Sequence, residues 1–123
     1  MTRPKPRLSP AQLSASLDSI RQDRGESPWS DKVVVGDEFT VTAIYQSPGT
    51  VNDRHYHIRD ECWYVAKGEI IWHFEGGRDV HARAGDFVFA PKNTFHLIEP
   101  VGDGPSIRIV VGVTGEPHRH ERD

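Results

Sequence analysis

The stretch GTVNDRHYHIRDECWYVAKG, residues 49–68, decides the fold. At its centre stands His55-Tyr56-His57. On an extended strand, side chains at i and i+2 share a face, so both imidazoles aim at one point. Glu61 follows four residues after His57 and returns to that face if the chain stays extended beyond a short turn. Two imidazoles and a carboxylate converging from one side are the donor set of a two-His-one-carboxylate metal site. A His-x-His pair alone also describes surface or packed histidines, so the reading depends on its surroundings. Gly49 and Gly68 bracket the stretch where a strand must turn tightly.

Outward from this stretch the texture is uniform from Lys32. Short runs rich in Val, Ile, Phe, Tyr and Trp are expected as strands at 32–35, 39–47, 55–57, 62–67, 70–74, 79–82, 86–90, 95–99 and 106–113. Gly36-Asp37, Pro48-Gly49, Gly76-Gly77, Gly85, Pro91-Lys92-Asn93 and Gly102-Asp103-Gly104-Pro105 break them apart. Many short strands with almost no helix between them point to an all-β, antiparallel barrel or sandwich. Downstream lies a second informative segment, GDFVFAPKNTFH, residues 85–96.

Together the two segments resemble the paired motifs of the cupin superfamily. In the first motif a glycine is followed by five residues, His-x-His, three or four residues, a glutamate, six residues and a glycine. Gly49, His55, His57, Glu61 and Gly68 match it throughout. In the second, Gly85, Pro91 and His96 match, whereas Asn93 stands where the family usually has glycine and Pro100 where asparagine is common. Asparagine is the next best residue for a left-handed turn, so the Asn93 departure is mild. The resemblance covers roughly residues 32–114. It implies a double-stranded β-helix, or jelly roll, preceded by a short helix. It also implies one divalent metal held by His55, His57, Glu61 and His96. Fe(II) or Mn(II) is favoured, and Zn(II), Ni(II), Co(II) or Cu(II) suit the same donors. The implied function is a metal-dependent enzyme acting on a small molecule, first a dioxygenase-like oxidoreductase. An isomerase, lyase or cyclase is the alternative, and a ligand-binding sensor without turnover is another.

Several side chains are candidates for the space beside the metal. Trp63 and Val65 share the parity of Glu61 and are expected to line it; Tyr64 and Cys62 face the other way. Phe87 and Phe89 form another alternating pair. Whichever of Tyr45 and Gln46 points inward could support a ligand. Arg108 lies in the otherwise apolar run 107–113. Pointing inward it would pair with a carboxylate substrate; the sequence favours an outward edge charge. Cys62 is expected to be a small buried residue, and His73 and His81 to be structural or exposed.

Length and charge bound the rest. A chain of 123 residues has one domain's length. Its 15 basic against 18 acidic residues leave no broad basic surface for nucleic acid. One cysteine excludes an internal disulfide and fits a reducing compartment. No apolar run follows Arg3, Lys5 and Arg7 as a secretory signal requires, and no stretch has the length of a membrane span. A soluble cytoplasmic protein is the expectation. Mean hydropathy of −0.58 is low for a compact enzyme and is explained by polar ends. Residues 1–31 read as a tail and a short helix, 32–114 as the barrel and 115–123 as a solvated polar tail. The helix is expected over 10–24, capped by Ser9 with Pro10 in its first turn and Leu13, Leu17 and Ile20 as a thin apolar stripe. That stripe and the barrel's exposed edges suggest a homodimer. In His118-Arg119-His120 the His-x-His pattern recurs, but in the tail.

Overall fold

A computed structural model describes residues 5–122. One helix, α1 (Leu17–Arg24), precedes eight strands: β1 (Trp29–Val35), β2 (Phe39–Gln46), β3 (Glu61–Lys67), β4 (Glu69–Phe74), β5 (Arg78–Arg83), β6 (Phe87–Ala90), β7 (His96–Val101) and β8 (Ser106–Val113). They form a five-stranded sheet of order β1-β2-β8-β3-β6 and a three-stranded sheet of order β5-β4-β7. Every pairing is antiparallel, the jelly-roll arrangement expected of the sequence. The expected strand 55–57 is reduced to single bridges, His55 to His96 and Tyr56 to Arg119.

Period-two alternation builds the core. Along β4, Ile70, Trp72 and Phe74 turn inward while their neighbours are only half-buried. They meet Trp63 and Val65 of β3, Val88 and Ala90 of β6, Ala82 of β5 and Ile98 of β7. Val65 is thus a fully buried core residue rather than part of a cavity wall. At Gly68, between β3 and β4, φ is +78° and an added Cβ would come within 2.9 Å of the Ser106 Cβ, so only glycine fits. Asn93 takes a left-handed φ of 64° where the resembled motif has glycine, and its N–H donates to the His57 carbonyl at 2.6 Å. That bond ties the second motif's turn to the first motif.

The helix is shorter than expected. Ser9 and Gln12 close a turn through reciprocal backbone bonds, and the Ser9 hydroxyl accepts from the Ala11 N–H, so Ser9 caps a turn instead of a helix. Ser16 is the N-cap, its Oγ accepting from the Ser19 N–H at 3.0 Å. Leu13 consequently lies outside the helix and exposed, and Ile20 alone is buried there. The Arg7 and Leu8 N–H groups donate to Lys32 and Val33, so this stretch lies along β1 rather than loose. Arg7 and Arg24 both pair with the buried Asp31 of β1 at 3.0 and 2.9 Å, pinning α1 to the sheet. Arg3 lies outside the described residues.

Two expectations about faces are corrected. Phe87 and Phe89 are 78% and 56% exposed, because β6 pairs them with Tyr64 and Cys62 on the outer face of β3. Cys62 is exposed for the same reason. At the other end, residues 116–122 are no free tail. The Arg119 N–H donates to the Tyr56 carbonyl, the Tyr56 hydroxyl donates to the Glu121 carbonyl, and Arg122 pairs with Glu75 and donates to the Asn93 carbonyl. No helix among the described residues is long and apolar enough to cross a membrane.

Candidate metal centre

Strand geometry brings His55, His57, Glu61 and His96 together, with one donor atom of each within 4.8 Å of the others. Reciprocal backbone bonds between His55 and His96 hold two of the rings side by side, their centroids 4.5 Å apart. Glu61, first residue of β3, aims its carboxylate between the His57 and His96 Nε2 atoms at 3.5 and 3.6 Å.

The hydrogen bonds fix which nitrogen faces inward. Nδ1 of His55 lies 3.2 Å from the Asp53 carbonyl, that of His57 2.9 Å from Pro117, and that of His96 3.3 Å from Thr94. A carbonyl only accepts, so each Nδ1 carries the proton and each Nε2 keeps its lone pair. Nε2 of His57 and of His96 are buried with no hydrogen-bond partner among the described residues. Buried polar atoms are ordinarily satisfied. Orphaned lone pairs aimed beside a carboxylate are what a metal ion would satisfy, so the residues fit a divalent metal.

Electrostatics agree with the geometry. Burial pushes the His55 and His96 imidazoles down to about 4, and pushes His57 in the same direction. All three are neutral at pH 7, as metal ligands must be. Burial pushes the Glu61 carboxyl up to about 7, against the pull of the Arg108 guanidinium. The sign for metal binding follows. Well above pH 7 Glu61 is ionised and a metal would displace almost no proton; near pH 6 it would displace about one, drawn from Glu61, while the histidines would release almost none. Calorimetric titration with Co(II) in buffers of different ionisation enthalpy should therefore show about one proton released at pH 6 and almost none at pH 8.5. Glu61→Gln should remove the difference. Equal proton release at both pH values would contradict the assignment.

A cavity of about 110 Å³ is lined by two of the four, His55 and Glu61. Ile44, Trp63, Ile98 and Val110 supply its apolar walls, and Asn52, Asp53, Glu61, His55, Arg108 and His118 its polar ones. Trp63 is where its parity placed it, with its ring 5.3 Å from that of His96. Arg108 points inward, contrary to the outward expectation, and is 4% exposed. Of the two β2 candidates it is Gln46 that reaches this side, accepting from Arg108 Nη1 at 2.7 Å. Tyr45 is packed elsewhere, against Trp29, Arg21 and Lys67. Phe87 and Phe89 do not reach the cavity, and nor does Val65.

One participant was not foreseen. His118 stacks face to face on His55, with ring centroids 3.8 Å apart, and lines the cavity. Asp53, His55 and His118 form a second grouping of donor atoms. Repetition of His-x-His at 118–120 was the only signal for it. His73 and His81 stand apart: His73 pairs with Asp79 and Glu99, and His81 with Glu69.

Comparison with known proteins follows the same lines. The cupin-domain family model matches residues 44–112, more than half the chain. Compared by sequence, no curated protein matches. Among solved structures, the polyketide cyclase RemF from Streptomyces resistomycificus is similar at 22% identity and a TM-score of 0.66, over 73% of this chain and 68% of that one. An uncharacterised double-stranded β-helix protein from Klebsiella pneumoniae is 26% identical, with a TM-score of 0.65 over 79% and 87%. The DMSP lyase DddQ from Ruegeria pomeroyi is 25% identical, with a TM-score of 0.57 over 65% of this chain and 40% of that one.

Proposed function

The chain belongs to the cupin family, and from that premise we propose that it is a metal-dependent enzyme acting on a small molecule, with one divalent transition metal held by His55, His57, Glu61 and His96. The observation that carries this reading is the pair of buried, partnerless Nε2 atoms of His57 and His96 beside the Glu61 carboxylate. Three imidazoles and a carboxylate leave two positions of a six-coordinate ion free for a ligand, which separates a working site from a closed structural one. The carboxylate and that coordination favour Fe(II) or Mn(II), while Zn(II), Ni(II), Co(II) and Cu(II) also suit the donors.

Bound there, the ion would supply Lewis-acid polarisation of a substrate oxygen or, as Fe(II), redox chemistry. The chain's own residues do the rest. Carbonyls of Asp53, Pro117 and Thr94 orient the imidazoles, and the apolar walls exclude water. Arg108 keeps a positive charge on the cavity wall.

Two reaction classes compete. An isomerase, lyase or cyclase acting without oxygen is supported by the likeness to a polyketide cyclase and a DMSP lyase. A dioxygenase-like oxidoreductase is supported by the mixed His and carboxylate donors alone. Turnover of small chelating acids by metal-loaded protein, followed with and without oxygen, separates them. Equal product under both conditions is expected; product only with oxygen would make the protein an oxygenase. Saturable binding with no product in either condition would contradict an enzyme and leave a binding or sensor module.

A homodimer forms part of the proposal, on a surface other than the helix stripe first expected. The outer face of the five-stranded sheet exposes Phe87, Phe89, Tyr64 and Val111 together, an apolar patch of the kind that marks an interface between subunits. Dimeric mass by light scattering is expected, and a monomeric mass at tens of micromolar would contradict it.

A further inference from the structure

Arg108 is the one guanidinium among the described residues that line the cavity, and the four candidate ligands make no hydrogen bond to it. Its side chain is 96% removed from solvent, on β8 in the middle of the five-stranded sheet. Burial lowers the guanidinium to about 10, which still leaves it charged at neutral pH. A buried arginine is ordinarily paired with a carboxylate. Here Glu61 acts on it only through space, and no hydrogen bond joins them among the described residues. Among the described residues, its side chain makes one hydrogen bond, from Nη1 to the neutral Gln46 amide at 2.7 Å. Nε is buried with no partner.

The surroundings hold that guanidinium ready. Gln46 and Asn52 exchange two amide bonds, at 3.0 and 3.1 Å, and Asn52 donates further to the Ile98 carbonyl at 2.9 Å. The tether fixes one nitrogen, and the side chain lines a cavity that also holds Glu61 and His55. A planar fork of donors matches a carboxylate through two parallel bonds. Phosphate is a poorer match, since its second charge would face the Glu61 carboxylate across a small space.

We infer that Arg108 binds the carboxylate of the substrate, and that the substrate class is small monocarboxylic acids enclosed between this guanidinium and the metal ligands. This rests on reading the cavity as the site of a metal-dependent enzyme. Size sets the scale: a cavity of about 150 Å³ holds benzene, so about 110 Å³ encloses roughly four to six non-hydrogen atoms. Longer substituents would extend past His118, which lines both this cavity and the neighbouring one.

Acetate, propionate, lactate and pyruvate are the probes, with acetamide, propionamide and lactamide as neutral counterparts of the first three. Binding is followed by calorimetry and by the fluorescence of Trp63, in metal-loaded and in chelator-treated protein. At least one acid should bind saturably, and its amide roughly tenfold or more weakly. Arg108→Met should remove the preference for acid over amide while metal content stays at one per chain, and Arg108→Lys should recover part of it. Melting temperature gives an independent readout. Arg108→Met should not lower it if the charge serves a ligand, whereas a fall of several degrees would mark Arg108 as the structural counter-ion of Glu61 and overturn the inference. Metal bound at one per chain with no acid bound, or with acid and amide bound equally, would also overturn it and leave the metal site standing. Absence of metal in protein that still prefers acid through Arg108 would instead overturn the metal-enzyme reading.

Discussion

Protein carrying His57→Ala or Glu61→Ala, purified without chelators, is expected to contain almost no bound metal, against one ion per chain expected for the wild type. Each substitution removes one of four donors and leaves a hole that water fills without the carboxylate's charge or the imidazole's fixed direction. Disturbing the partner of a ligand commonly costs 10–100-fold in metal affinity, so deleting a ligand should cost more than roughly a hundredfold. The loss is specific because the fold does not depend on these rings for its core, which lies deeper, among Trp72, Ile70 and Val65. Both variants should keep wild-type circular dichroism. Full metal occupancy in either, with the fold intact, would refute the ligand assignment.

Trp72→Ala should have the largest effect on stability. Trp72 is fully buried at the centre of β4, its ring 5.4 Å from that of Trp63 and enclosed by both sheets. Truncation removes most of a large apolar surface and leaves a cavity the surrounding strands cannot close, because each is fixed by its ladder. The expected loss is about 3–5 kcal/mol, a large part of the roughly 5–15 kcal/mol that holds a domain of this kind together. The melting temperature should fall by roughly 10–25 °C. Val51→Ala, at a loop position 93% exposed, should change it by less than a few degrees. A shift of only a few degrees for Trp72→Ala would mean that the centre of the core has been misidentified.

Those core and candidate ligand positions were legible in the sequence because they follow from local rules. Alternation along Glu61–Lys67 fixes which residues share a face, and glycine at turns such as Gly68 fixes where strands end. The second motif's turn was legible too, through asparagine's tolerance of the left-handed φ that Asn93 adopts. Parity also held information that went unused. If Glu61 faces inward, Cys62 and Tyr64 face outward, and the outside of a two-sheet fold is solvent, so Cys62 could have been placed as exposed.

The remaining misreadings depended on partners far away in sequence. Whether Arg108 points in or out is settled by its pairing with the inward Val65 and by the pairing of its β8 neighbours with β2. No local pattern states that register. Phe87 and Phe89 look like core residues until β6 is set against Cys62 and Tyr64. Residues 116–122 escaped for a different reason. They are held by hydrogen bonds and ion pairs, Pro117 to His57, Glu116 to Ile58 and Arg122 to Glu75, and a hydropathy pattern registers only apolar burial. The helix began late because Ser9 is used in a turn that closes on Gln12, and Ser16 caps the helix instead.

Anomalous diffraction at the metal's absorption edge, on crystals of protein purified without chelators, tests the central claim most directly. One peak is expected, about 2.0–2.3 Å from Nε2 of His55, His57 and His96 and from a Glu61 carboxylate oxygen. No peak there, or a metal bound through the Nδ1 atoms that now face backbone carbonyls, would contradict it.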